Sequence, residues 1–194
     1  PMNSSAASDV YKRQVIIRYF ILSVLFFQFS YSQKVNWITI EKAQELQKKV
    51  PKNIIMDVYT NWCGPCKLMD KYTFQNPDVA KYLNDNFYSV KFNAEGDEKV
   101  IFKGRNFKNS NYKESLSNTR NSTHDFARYL GVSGYPTIVF FDINSNPIAP
   151  ITGYLNPNQI EIYLNLFSND AYTEIKSQED FKKFVDNFES QFKI

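Results

Sequence analysis

Both cysteines of the 194-residue chain fall inside one hexapeptide, Trp62-Cys63-Gly64-Pro65-Cys66-Lys67. Two thiols separated by two residues can close a small disulfide ring and open it again. The thiolate is the reactive form. A helix N-terminus stabilises it with unpaired N–H groups and the positive end of the helix dipole. The flanking residues predict that setting: Asn53–Tyr59 is an apolar run of strand length, and Lys67–Phe74 spaces its apolar residues as a helix does. Cys63 is therefore expected near the helix start and Cys66 one turn inside it. A Cys-x-x-Cys pair at such a strand-to-helix junction reads as a redox motif.

Two other uses of the pair compete. A structural zinc site takes about four ligands, whereas the chain offers two cysteines and one histidine, His124, so no metal is expected. His124 is read as a helix-start residue without a catalytic role. A permanent structural disulfide is the other competitor, but a ring this small contributes little loop-closure entropy. Reversible redox chemistry is the favoured reading.

Three blocks carry a family resemblance. Ile54-Ile-Met-Asp-Val-Tyr-Thr-Asn-Trp-Cys-Gly-Pro-Cys-Lys67 resembles the active-site segment of thioredoxins, including an acid, Asp57, placed six residues before the first Cys. Val132–Asp142 resembles the family's cis-proline loop and the strand after it. Val90–Glu95 resembles the next parallel strand, with its Lys at Lys91. The likeness runs from Val35 to Phe167, apart from one long insertion. It implies an α/β thioredoxin fold: a central mixed β-sheet flanked by helices, with the insertion before the cis-proline region and an extra C-terminal helix.

The resemblance also implies roles. Cys63, the more exposed sulfur by analogy, would attack a substrate disulfide, and Cys66 would resolve the mixed disulfide. Asp57 matches the family's buried acid, whose raised pKa lets it take the proton from Cys66. Lys91 matches the Lys beside that acid; a purely structural ion pair is the alternative for the couple. Trp62, Gly64, Pro65, Tyr135 and Pro136 would form the substrate-binding surface. Within it Pro136 is the cis-proline facing the sulfurs, and the backbone of Tyr135 would pair with an extended substrate segment. Tyr135 is larger than the aliphatic residue common there in thioredoxins. The Gly-Pro dipeptide is that of the reducing members, at about −270 mV against about −120 mV for oxidising relatives. The implied function is a thiol-disulfide oxidoreductase that reduces protein disulfides in the cell envelope. It would need an upstream electron donor and no cofactor, and it is expected to be a monomer. The alternatives are an oxidase or isomerase of secreted proteins, or a non-catalytic thioredoxin-like binding or chaperone module.

The elements that must position these residues follow from pattern. Val35–Thr39 reads as an edge strand, Glu41–Lys49 as a helix ending before Pro51, and 53–59 as the central strand. Pro77 opens a second helix through Leu83, and Phe87–Asn93 alternates as a strand. Thr123–Leu130 is a short helix. Thr137–Asp142 and Ile148–Thr152 form a hairpin around Asn144-Ser-Asn146, and Asn156-Pro-Asn-Gln opens a helix to Phe167.

Glu95–Ser122 is polar and stands where a short turn would suffice, so it reads as a loop insertion bordering the active site. Its replacement by a short turn is expected to leave the core assembled, since loop length adds closure entropy only slowly. Asn121-Ser-Thr123 matches a glycosylation acceptor but carries little weight beside a leader of bacterial type. In the tail, Ser177-Gln-Glu-Asp180 resembles a capping box, and Phe181, Phe184, Val185, Phe188 and Phe192 form a helical stripe expected to pack back on the domain.

Residues 1–14 fit nothing that follows, and Asp9–Gln14 can be encoded by a string that resembles the end of a transposase-type sequencing adapter; they are read as a cloning or library artefact and set aside. Residues 15–32 read as a signal peptide, with Arg18 before an apolar Tyr19–Phe27 and small Ser30 and Ser32 ahead of cleavage at Gln33. The apolar run is shorter than the roughly 20 residues that span a bilayer. Export to a bacterial periplasm is therefore expected, with no membrane attachment after cleavage and an uncleaved anchor as the alternative. The domain would occupy residues 33–170 and a helical extension residues 171–194. Removing residues 1–32 takes Asp9, Lys12, Arg13 and Arg18 from 20 acidic and 23 basic residues, leaving a near-neutral chain. Nothing in that balance calls for nucleic acid or an anionic membrane.

Overall fold

Asn53–Tyr59 forms a strand buried along its whole length except Tyr59, in a computed structural model that describes residues 34–193. A run of Ile, Met and Val with no polar alternation is what a strand covered on both faces requires. The strand, β2, is the centre of a five-stranded sheet. Its companions are β1 (Trp37–Ile38), β3 (Phe87–Asn93), β6 (Thr137–Phe141) and β7 (Pro147–Thr152), in the order β1-β3-β2-β6-β7. The β1, β2 and β3 strands run parallel; β6 is antiparallel to β2, and β7 to β6. The mixed sheet with flanking helices is the architecture the sequence implies.

Alternation along β2 sorts the core into two layers. Ile54, Met56 and Val58 face one layer with Val90, Phe92, Val139 and Phe141, covered by α1 (Ile40–Gln47) and α4 (Asp125–Tyr129). Ile55 faces the other with Phe87, Ile138 and Phe140, covered by α2 (Gly64–Met69), α3 (Pro77–Asn86) and α5 (Pro157–Ser168). Side-chain caps set the helix starts. Thr39 caps α1, Asn76 caps α3 ahead of Pro77, and Asn156 caps α5 in a reciprocal box with Gln159.

Several boundaries move from their expected places. The first helix begins one residue early, at Ile40, because Thr39 is the cap. The helix from Pro77 runs to Asn86 rather than stopping at Leu83, and its last turn passes directly into β3. The active-site helix does not stay α-helical: after Met69 it widens into a π-turn over Asp70–Phe74.

The largest correction concerns Glu95–Ser122, expected as a loop. It contains a hairpin, β4 (Val100–Phe102) and β5 (Arg105–Phe107), turned by Lys103 at φ 49° and Gly104 at φ 75°. Two successive left-handed residues are what a two-residue hairpin turn needs, and glycine supplies the second without strain. Val100, Phe102 and Phe107 are buried in the layer beneath α1 and α4, with Phe102 and Phe107 rings packed on Phe126. Side chains of α1 also hold the hairpin: Ile101 N–H donates to Glu41 and Lys103 N–H to Gln44. The insertion is part of the fold, not a tolerated loop.

His124 caps α4, as its sequence position suggests, and is fully buried. Its Nδ1 accepts the Phe126 N–H at 3.0 Å while Nε2 lies 2.7 Å from the Glu98 carbonyl, so Nε2 carries the proton. At the tail, α6 (Gln178–Asp186) packs Phe181 and Phe184 against the second layer, joined by Phe192. The Ser177 hydroxyl accepts the Asp180 N–H, but the Asp180 carboxylate takes the Lys176 N–H, so the box is completed one residue upstream of its expected partner. The leader and the adapter-like segment lie outside the described residues. Among the described residues no helix is long and apolar enough to cross a membrane.

Candidate active site

The backbone leaves β2 at Tyr59 and reaches the start of α2 at Gly64, five residues later, which sets both cysteines at the end of the central strand. Cys63 is the N-cap of α2, with extended φ and ψ of −70° and 105°. Its Sγ accepts the Cys66 N–H at 3.1 Å, where a Ser or Asp cap would place oxygen. Pro65 at the first turn has no N–H to leave unpaired, and Gly64 and Pro65 are exposed at the helix tip. Cys63 and Cys66 are joined as a disulfide. Cys63 is 2% exposed and Cys66 4%, so the expected greater exposure of Cys63 is not found: with the ring closed, the two cysteines are equally covered. What distinguishes them is the N-cap hydrogen bond, which belongs to Cys63.

Two residues before the end of β2, the parallel register sets Asp57 opposite Lys91. Asp57 is 2% exposed, and burial pushes its carboxyl up to about 7 despite the Lys91 ammonium 3.6 Å away. The nearby Asp70 carboxylate raises it further. Asp57 Oδ1 is buried without a protein hydrogen-bond partner among the described residues. Lys91 is shared: it pairs more closely with Asp70 on the π-turn, and its Nζ lies over the rings of Tyr59 at 5.2 Å and Trp37 at 5.3 Å. The ammonium that should neutralise Asp57 is drawn toward Asp70, which leaves the buried acid only partly compensated.

Trp62 is held from several sides. Its Nε1–H donates to Glu95 Oε2 at 2.7 Å, its ring meets Tyr135 edge-on at 5.9 Å, and the Arg120 guanidinium lies 4.9 Å from its centre. Glu95 also accepts the Asn121 N–H at 2.8 Å, and Asn61 Nδ2 donates to the Ser117 carbonyl at 2.8 Å. The insertion therefore borders the Asn61–Trp62 segment that leads into Cys63, in keeping with its place after β3. The Tyr135–Pro136 peptide is cis. The Pro136 carbonyl accepts the Gly153 N–H, which ties the loop to the end of β7.

The structure thus pairs Asp57 with Lys91 across β2 and β3, and Trp62, the residue before Cys63, with Tyr135. Sequence reasoning missed Asp70, Glu95, Ser117, Arg120 and Asn121. Asp70 carried a signal, an acid one helical turn after Cys66 on the same helix; the other four sit in a segment with no periodicity to place them. A cleft of about 710 Å³ between α1, the β4–β5 turn and the β6–β7 turn includes none of these site residues.

A family model described as a thioredoxin-like domain matches residues 40–168. Among curated relatives, the thiol:disulfide interchange protein DsbD of Haemophilus ducreyi is 30% identical over 137 residues, covering 69% of this chain and 19% of its own. The protein of the same name from Pectobacterium atrosepticum is 28% identical over 122 residues, covering 62% and 17%. The chain thus spans under a fifth of the length of these relatives. Among solved structures, a thioredoxin-fold protein from Helicobacter pylori superposes with a TM-score of 0.51 at 21% identity, over 81% of this chain and 87% of that one.

Proposed function

The chain belongs to the thioredoxin-like family, and from that premise we propose that it is a thiol-disulfide oxidoreductase that reduces protein disulfides in the bacterial cell envelope. One observation carries the reading: the Cys63–Cys66 disulfide closes on the first turn of α2, with Cys63 Sγ receiving a backbone N–H. When the pair is reduced, that N–H and the helix dipole favour the Cys63 thiolate over the thiol.

The Cys63 thiolate attacks one sulfur of a client disulfide, and the other client sulfur leaves and is protonated. Asp57 then takes the proton from Cys66, whose sulfur attacks Cys63 Sγ. The second client thiolate is expelled and protonated, and the chain is left with its disulfide closed. The client gains two electrons from the Cys pair and two protons, one lost by Cys66 through Asp57 and one from solvent, which received it when the Cys63 thiolate formed. Support for Asp57 as the acceptor is its burial, its Oδ1 without a partner and a pKa near neutrality, which lets it take and release a proton at physiological pH. Lys91 keeps the ionised carboxylate tolerable in its apolar site. Trp62, Gly64, Pro65, Tyr135 and Pro136 form the surface that receives the client.

The Gly-Pro spacing and the likeness to interchange proteins support reduction as the direction of flow. A two-electron donor must then reopen the disulfide. Periplasmic placement rests on the leader at 15–32. Reduction of insulin by the pre-reduced chain tests the activity, and equilibration with a glutathione buffer tests the direction. A potential near that of thioredoxins, about −270 mV, supports a reductant, and one near −120 mV would make the chain an oxidase.

A further inference from the structure

Arg120 lies on the insertion, exposed, with its guanidinium 4.9 Å from the centre of the Trp62 ring. It forms no ion pair among the described residues. The indole beneath it does not drift, because Glu95 holds Nε1 and Tyr135 holds the ring edge. The carboxylate that could neutralise the guanidinium, Glu95, instead accepts from Trp62 and from the Asn121 N–H. The result is a cation with its fork of donors open to solvent, fixed on the face of the residue that precedes Cys63.

A client whose sulfur reaches Cys63 must carry its flanking residues past this spot. Arginine presents five donors in a plane that matches a carboxylate, and stacking on a ring limits the freedom lost when it binds one. We propose that Arg120 selects clients by seating an Asp or Glu side chain that flanks the client disulfide. This rests on the thiol-disulfide reading of the same site. Trp62 supplies the platform and Arg120 the sign of the charge.

The test uses three disulfide-linked peptides with blocked termini, identical except for Glu, Gln or Lys beside the cystine, and the pre-reduced chain. The readout is the ratio of kcat/KM for the Glu peptide to that for the Lys peptide, taken within each variant so that a loss of folded protein cancels. Wild type should favour the Glu peptide by about fivefold, the range of a partly exposed ion pair. The preference should shrink as ionic strength rises. R120Q should bring the ratio near one, R120K should keep part of it, and R120E should invert it. An unchanged ratio in R120Q and R120E overturns the assignment of Arg120. A wild-type chain that reduces none of the three peptides refutes the oxidoreductase reading instead.

Discussion

Lys91 Nζ lies 3.6 Å from Asp57 Oδ2 and closer still to Asp70, so one ammonium serves a buried carboxylate and a half-exposed one. That arrangement keeps Asp57 ionisable without making it a permanent anion. Had Lys91 been committed to Asp57 alone, the carboxyl would be pulled toward the ordinary range of an acid.

Replacing Asp57 by Asn should slow resolution of the mixed disulfide. The deficit should be largest above pH 7, where the wild-type carboxylate is ionised. Single-turnover rates of Cys66 attack between pH 6 and 9 measure it; identical profiles would confine Asp57 to a structural role.

The same substitution should alter stability with a definite sign. The folded-state pKa of Asp57 is raised from 3.8 to about 7, so its contribution is fully present below pH 4 and is lost as pH rises through 7. An amide at this position does not titrate and has no such loss, so at pH 8 the oxidised Asp57→Asn variant should be more stable than wild type, by at most roughly 4 kcal/mol. Urea midpoints at pH 4 and pH 8 decide it: the gap must widen at the higher pH.

Asp70→Asn removes a charge that raises the Asp57 carboxyl and frees Lys91 to approach it. The midpoint of the pH dependence of resolution should fall, by about one unit or less. A midpoint that stays fixed would mean that the two carboxylates do not sense each other.

Exchange of the Cys pair should separate the two thiols. Cys63→Ser should abolish turnover, and Cys66→Ser should accumulate mixed disulfides with clients, visible on non-reducing gels. Trapping by the Cys63 variant alone would reverse the roles.

Replacement of residues 95–122 by a short turn should unfold the domain. The deletion removes Val100, Phe102 and Phe107 from a core layer, and Phe102→Ala alone should cost about 3–5 kcal/mol. Thermal unfolding of the single variant checks the magnitude; a loss below about 1 kcal/mol would show the hairpin to be peripheral.

Much of this was legible because the signals were local. The 53–59 and 87–93 strands stand at their expected bounds, the first written as a largely apolar run and the second as an alternation. Cys63 at the helix start follows from a strand and a helix four residues apart. The hairpin at 100–107 was hidden by Lys and Asn around its three buried residues, although Lys103-Gly104 is a turn signal of the right length. The pairing of Asp70, rather than its place on the helix, was hidden for another reason: its partner Lys91 is on β3, and only the crossover connection brings the two together. Arg120 and Glu95 reach Trp62 through tertiary contact alone, which no periodicity records.

The insertion divides into halves with opposite tolerance for change. Residues 100–107 are fixed by what they bury, so sequence drift there is penalised through folding. Residues 114–122 expose most of their side chains and meet the site through backbone groups of Ser117 and Asn121 and one stacked arginine. Backbone contacts survive side-chain replacement. A lineage can therefore rewrite the outer half residue by residue, trying new client preferences on an unchanged redox centre, while the inner half guarantees that each trial still folds.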